Sequence, residues 1–361
     1  QVRVLARHQV RVVQPRLNIV NSGQLVAGAI ASVEVQNFPA TARLSVKAQA
    51  FLGGRWLDLP DAYGRTTAGI GRLSMTALPR SPVWVRAMGA GEEGTPVISI
   101  PVLTRLGHVV RIVAHRGGAG EAPENTVAAA RMASNRGFSL EGDLRKTSDG
   151  HWVVLHDPTL TRTTNVIDVF PSRATAPVSS FTLAEVKQLD AGTWFSPQFA
   201  GASVPTLDEW LQASSGAPHI DLEVKGPGLT AADAQDLGRR FSAATADMHL
   251  GPITVSSVDA GWLTHLKAAL PSLELGAVLG AAPGSAQLAA LAGVASVVYL
   301  PVAAVNASVY SLTREAGLEV ATYTVNSLSD METALALSDA VVTDFPQRLA
   351  LMMDPARPLV D

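Results

Sequence analysis

From residue 110 onward, two apolar periods take turns along the chain. Runs of strand length, at residues 110–114, 139–144, 220–224, 253–256, 275–279, 297–300, 320–325 and 341–343, alternate with stretches whose apolar positions recur at helical spacing, at 125–135, 231–243, 262–270, 287–291, 309–316 and 331–337. Strands alternating with helices predict a parallel sheet wrapped by crossover helices, and eight such strands predict a (β/α)8 barrel. Residues 152–155 read as a short extra strand beside the second, and 158–205 as an irregular insertion. The stretch 275–313 carries no charge. Pro283, Pro301, Gly284, Gly293 and Asn306 interrupt it, so it reads as a buried strand between helices rather than a membrane span.

Residues 1–105 follow another pattern. Short β-rich runs at 10–13, 31–35, 44–48, 83–86 and 97–100 are separated by turn residues such as Asn21-Ser22-Gly23 and Gly53-Gly54. This predicts a small antiparallel, sandwich-like domain ahead of the barrel, and 361 residues suit a division into 1–105 and 106–361. Gly53-Gly54-Arg55-Trp56 and Tyr63-Gly64-Arg65 resemble the immunoglobulin-like accessory modules of secreted bacterial proteins. Formal net charge is −3, which argues for neither nucleic acid nor a membrane surface. The balance is split, however: 12 Lys and Arg against 5 Asp and Glu give +7 over 1–105, and 16 against 26 give −10 over 106–361. The two parts are expected to meet different partners, the first an anionic polymer such as that of a cell wall. With no cysteine, disulfides and thiolate metal sites are excluded. A start at Gln1 fits a processed product, and 5 lysines among 28 basic residues read as GC-rich bacterial usage, so an extracellular or cell-surface location in a bacterium is expected.

The polar residues fall at particular places on the predicted barrel. His115 ends the first strand, Glu141 and Asp143 lie on the second, and Glu223 and Lys225 end the third. Residues two apart share a face of a strand, so these side chains converge on the C-terminal rim, where barrel enzymes keep their chemistry. Asp221 continues the alternation deeper on the same face. Three carboxylates without cysteine suit one hard divalent cation, Mg2+ or Ca2+. A purely structural role would bury three carboxylates and a lysine for no gain. His115 and His156, each closing a strand, are candidates for acid–base catalysis. Arg116 and Lys225 either contact substrate or pair with Glu141 and Glu223. Glu124 and Asn125 open a helix, and either cap it or orient the metal ligands from behind. The other six histidines read as surface or packing residues.

His115-Arg116-Gly117-Gly118, Pro123-Glu124-Asn125-Thr126, Glu141-Gly142-Asp143, His156-Asp157-Pro158-Thr159-Leu160 with Arg162-Thr163-Thr164-Asn165, Glu223-Val224-Lys225, Thr324-Val325-Asn326 and Thr343-Asp344-Phe345-Pro346 follow one another in order. That series resembles the glycerophosphodiester phosphodiesterase family over about residues 108–350. The resemblance implies a TIM barrel and a cation held by Glu141, Asp143 and Glu223. It also implies acid–base work by His115 and His156, and phosphate binding by Arg116 and Lys225. It further implies attack by the glycerol 2-hydroxyl and release of sn-glycerol 3-phosphate and an alcohol from a glycerophosphodiester or a glycerophosphate wall polymer. Two positions depart from the family pattern. Gly142 stands where a larger apolar residue is common, on the face toward the outer helices. Tyr323 replaces a frequent tryptophan, and the resemblance implies that this aromatic touches the leaving alcohol or the glycerol, so the change bears on substrate preference and leaves the reaction alone.

Two other readings differ in class. A sphingomyelinase D-like phospholipase would use the same barrel, but the cysteines common in those enzymes are absent. A surface-binding protein with a vestigial barrel conflicts with the intact set of His, Glu, Asp and Lys.

Overall fold

The structure, a computed structural model, describes residues 110–226, 229–247 and 250–353 together with seven strands between Arg16 and Arg105. Those strands and the barrel belong to separate compact units. In the first unit, β1 (Arg16–Ile19), β2 (Ala31–Gln36), β3 (Ser45–Leu52), β4 (Arg55–Thr67), β5 (Ile70–Met75), β6 (Trp84–Ala90) and β7 (Ile98–Arg105) pair antiparallel in the order β1-β2-β5-β4-β3-β6-β7. The run at 10–13 and the turns at 21–23 and 53–54 lie outside the described residues, as do the side chains on which an accessory-domain reading depends.

The second unit is a closed barrel. Its parallel strands are β8 (Arg111–Ala114), β9 (Ser139–Lys146), β11 (Ile220–Val224), β12 (Ile253–Ser257), β13 (Glu274–Val278), β14 (Val297–Pro301), β15 (Glu319–Tyr323) and β16 (Ala340–Thr343). Each pairs with the next, and β16 returns to β8 with Thr343 opposite Ala114, which closes the ring. The extra strand β10 (Trp152–Val154) runs antiparallel to β9, as the sequence indicated. Helices α1 (Val127–Asn135), α2 (Val166–Val169), α3 (Leu183–Val186), α4 (Leu207–Ala213), α5 (Ala231–Asp247), α6 (Ala260–Ala269), α7 (Ser285–Leu291), α8 (Ala307–Glu315), α9 (Leu328–Leu337) and α10 (Pro346–Met353) connect and cover it. The uncharged stretch 275–313 resolves into β13, α7, β14 and most of α8, and among the described residues no helix is long and apolar enough to cross a membrane.

Burial explains why the strands read as continuous apolar runs. Side chains facing outward, such as Leu140, Leu144, Ile220, Leu222, Val255 and Val298, pack under Trp210, Leu211, Leu237, Trp262 and Leu263 of the surrounding helices in one apolar core. Gly142 lies on that outer face, and a Cβ there would meet the Trp210 ring at 2.9 Å. The indole of α4 thus occupies the volume that a larger residue would take. The insertion has a small core of its own around Leu160, Val166, Val178, Phe181 and Val186. This makes it a packed cap beside the rim.

Candidate active site

Strand register brings the acidic residues together. Across the β9–β11 pair, Glu141 stands opposite Asp221 and Asp143 opposite Glu223. Ligand oxygens of Glu141, Asp143 and Glu223 all lie within 4.8 Å of one another. Asp221 sits one layer down, wholly buried, with His219 Nε2 3.2 Å away and no hydrogen bond to either of its oxygens. It does not join the cluster.

The turn after β8 supplies the next groups. His115 and Arg116 enter a single 3-10 turn, and Arg116 adopts the left-handed backbone conformation at φ 53°, rare for a side-chain-bearing residue. Its N–H then points at Glu141 and donates to Oε2 at 2.8 Å, while its carbonyl accepts from the Asn125 N–H at 2.9 Å. Gly117 follows at φ 84°, and a Cβ there would strike Ala129 of α1 at 2.7 Å, so the turn needs glycine on two counts. The cap of α1 is Thr126, whose hydroxyl accepts from the Ala129 N–H. Glu124 and Asn125 are therefore free of capping. Asn125 donates to Asp143 Oδ2 at 2.9 Å, and Glu124 lies between Arg116 at 2.8 Å and Arg162 at 2.7 Å.

Both predicted cations are held by carboxylates. Lys225 Nζ is 2.7 Å from Glu223 and 3.3 Å from Asp143 Oδ1, and Arg116 Nε is 3.5 Å from Asp143 Oδ2. Burial works against the charge of Asp143, yet Lys225, Arg116, His156 and Asn125 hold it below the usual carboxylate range. Glu141 goes the other way: burial and the neighbouring Asp143 push it well above that range, more than His115 and Arg116 offset. Three carboxylates with ligand oxygens within 4.8 Å of one another, one of them pushed up by burial and its acidic neighbour, offer a hard divalent cation an all-oxygen site.

The two histidines share one construction. His115 Nδ1 is 2.5 Å from Asp344 Oδ1, and His156 Nδ1 is 2.8 Å from Asp157 Oδ1. Each aspartate is itself anchored, Asp344 by Asn326 Nδ2 at 2.6 Å and Asp157 by Arg162 Nε at 2.7 Å. With Nδ1 engaged, Nε2 of each ring is the nitrogen left for a substrate proton. Their environments differ. Burial would lower His115, but the Asp344 bond and the charge of Glu141 outweigh it and raise the ring above its ordinary value. Burial lowers His156, and Asp143 and Asp157 do not compensate against Arg116 and Lys225.

Asp344, Asn326, Asp157 and Arg162 stand in the sequence motifs, but only the structure shows what they do. Asp344 directly follows a strand and Asp157 directly follows a histidine, which is the signal the sequence carries; Asn326 and Arg162 have no such mark. Arg145 lies two residues beyond Asp143 on the same strand. Tyr323 ends β15, two residues before the end of the expected strand, and is half-buried, with its hydroxyl donating to the Leu279 carbonyl at 2.9 Å. Its hydroxyl is thus engaged by the backbone rather than free. Of the six other histidines, His8, His108 and His249 lie outside the described residues, His151 and His265 are exposed, and His219 is buried against Thr254 at 2.8 Å.

Comparison with known proteins gives one consistent result. Residues 115–348 match the model of the glycerophosphoryl diester phosphodiesterase family. The Bacillus subtilis (strain 168) protein YhdW is 29% identical over 243 residues, which cover 65% of this chain and 94% of that protein. A glycerophosphodiester phosphodiesterase from Agrobacterium tumefaciens str. C58 is similar in structure, with a TM-score of 0.55, 30% identity, and coverage of 67% of this chain and 99% of that one. A phosphodiesterase from Oleispira antarctica, solved with the product sn-glycerol-3-phosphate, gives a TM-score of 0.59 and 27% identity over 68% of this chain and 96% of its own.

Proposed function

Because the chain belongs to the glycerophosphoryl diester phosphodiesterase family, we propose that it hydrolyses glycerophosphodiesters to sn-glycerol 3-phosphate and an alcohol, using the cluster at the barrel mouth. The observation that carries this reading is the pair of aspartate-anchored histidines beside three converging carboxylates. The product bound to the Oleispira antarctica phosphodiesterase supports the same reaction.

Glu141, Asp143 and Glu223 would hold the divalent cation, Mg2+ or Ca2+. When bound, it supplies positive charge that neutralises the phosphate and acidifies the glycerol hydroxyl. Arg116 and Lys225, tethered to the same carboxylates, add positive charge beside the phosphate oxygens. His156, kept neutral by its lowered affinity for protons, removes the proton from the glycerol 2-hydroxyl as that oxygen attacks phosphorus. His115, which its bond to Asp344 biases toward the protonated form, gives its proton to the departing alcohol oxygen. A cyclic phosphate results. In the second half the roles reverse: neutral His115 takes a proton from water, and protonated His156 returns one to the 2-oxygen. Asp344 and Asp157 fix ring orientation and tautomer in both halves.

The test is release of glycerol 3-phosphate from a small diester such as glycerophosphocholine. It should stop with chelator and resume with Mg2+ or Ca2+. Turnover of a diester whose 2-hydroxyl is methylated would instead point to direct attack by water.

A further inference from the structure

Arg162 has no part in the mechanism above, yet every nitrogen of its guanidinium is committed to residues of the site. Nη1 and Nη2 donate to the two oxygens of Glu124, each at 2.7 Å. Nε and Nη2 donate to the two oxygens of Asp157, at 2.7 and 3.0 Å. Two carboxylates are thus forked onto one guanidinium, which takes a fixed planar set of donors that lysine lacks. Each carboxylate also holds a group that the mechanism uses. Asp157 Oδ1 meets His156 Nδ1 at 2.8 Å, and Glu124 Oε1 accepts from Arg116 Nη1 at 2.8 Å. A continuous chain, His156–Asp157–Arg162–Glu124–Arg116, therefore joins the base to a cation beside the phosphate. Its ends come from separate elements, His156 after β10 and Arg116 in the turn after β8. Arg162 belongs to neither; it stands on the insertion, whose own core includes Leu160 and Val166. Thr164 Oγ1 donates to the Leu160 carbonyl at 2.6 Å, so that stretch is held without the Arg162 side chain, which lies at the surface. Ion pairs made from the surface contribute little to stability, and these four bonds are better accounted for by what they aim.

Building on the hydrolase reading, we propose that Arg162 is a positioning residue that sets His156 and Arg116 together from outside the reacting centre, through Asp157 and Glu124. It also shares the charge of Asp157. That carboxylate is held below its usual range chiefly by the bond to Arg162, so it orients the imidazole without fixing a proton on it. His156 is faced by Asp143 from β9, Arg116 from the turn after β8, Lys225 beyond β11 and Asp157 beside it. Of these, Asp157 is the one that Arg162 bonds.

The experiment measures kcat, KM and the pH profile of glycerophosphocholine hydrolysis at saturating Mg2+ or Ca2+, for the native protein, Arg162→Gln and Arg162→Lys, with thermal unfolding of each. Arg162→Gln should unfold within a few degrees of the native protein and lower kcat by about tenfold or more. KM should rise as Glu124, left with one partner, draws Arg116 toward itself. The acidic limb should move to higher pH, because Asp157 then bears on His156 alone, while the alkaline limb stays. Arg162→Lys should bring the limb back, which follows charge, but not kcat, which follows the fork. Unchanged kinetics in Arg162→Gln, or a lower kcat with an unmoved acidic limb, would overturn the proposal, the latter by leaving Arg162 only a support of the fold. Full recovery of kcat in Arg162→Lys would overturn it too, by reducing the effect to charge, and that arm reads out even if Arg162→Gln does not fold. Failure of the native protein to release glycerol 3-phosphate overturns the hydrolase reading itself, and this inference falls with it.

Discussion

At the residue scale, the acid–base assignment makes the sharpest claims. Changing His115 or His156 to alanine should lower kcat by roughly a hundredfold or more with the fold intact, whereas His151→Ala, exposed and remote from the cluster, should not. Circular dichroism and steady-state rates check both parts. The pH profile follows from the shifts. Activity needs His156 neutral, so it should rise as pH climbs through a value below the ordinary histidine range; it needs His115 protonated, so it should fall as pH climbs through a value above that range. Asp344→Asn removes a charge that raises His115, and the alkaline limb should move to lower pH, while the acidic limb, set by His156, should stay. An alkaline limb that does not move would take the acid role away from His115. His115, His156, Arg116, Glu223 and Lys225 stand out in the sequence because they fall at or just past strand ends in motifs, and Glu141 and Asp143 because they share one face of a strand. The work of Asp344 and Asn326 does not, because only closure of the barrel, with β16 beside β8, brings Asp344 within reach of His115 across more than two hundred residues.

At the element scale, the eight strands were readable from their apolar runs, and the structure moves their ends by only a residue or two. What stayed hidden was the exchange of volume between Gly142 on β9 and Trp210 on α4, since neither residue announces its partner in sequence. Gly142→Leu should force the indole aside and destabilise the protein by about 1–3 kcal/mol. Adding Trp210→Ala should recover part of the loss, despite removing a buried ring. Denaturant unfolding of the two single variants and the double variant measures the coupling, and purely additive losses would contradict direct contact. The assignment of Glu124 and Asn125 was likewise open until Thr126 proved to be the cap of α1. Asn125→Ala should therefore act on the Asp143 carboxylate, lowering activity more than helix stability.

At the scale of the whole molecule, charge is divided between the two parts of the chain, +7 over 1–105 and −10 over 106–361. We propose that the first part holds the enzyme near an anionic polymer at the cell surface while the barrel cuts. Attraction of that kind is screened over about 8 Å at physiological salt, so polymer binding should weaken steeply as salt rises. Removing residues 1–105 should spare a small diester and impair the polymer; equal effects on both substrates would leave those residues without a targeting role. For the barrel, we propose that a cation held by Glu141, Asp143 and Glu223 drives diester cleavage. The most direct test is a Mg2+ or Ca2+ titration of metal-stripped protein, following bound cation by calorimetry and glycerol 3-phosphate release in parallel, with Asp143→Asn alongside. The two curves should rise together in the native protein and both be lost in the variant. Full turnover at zero bound cation would contradict the account.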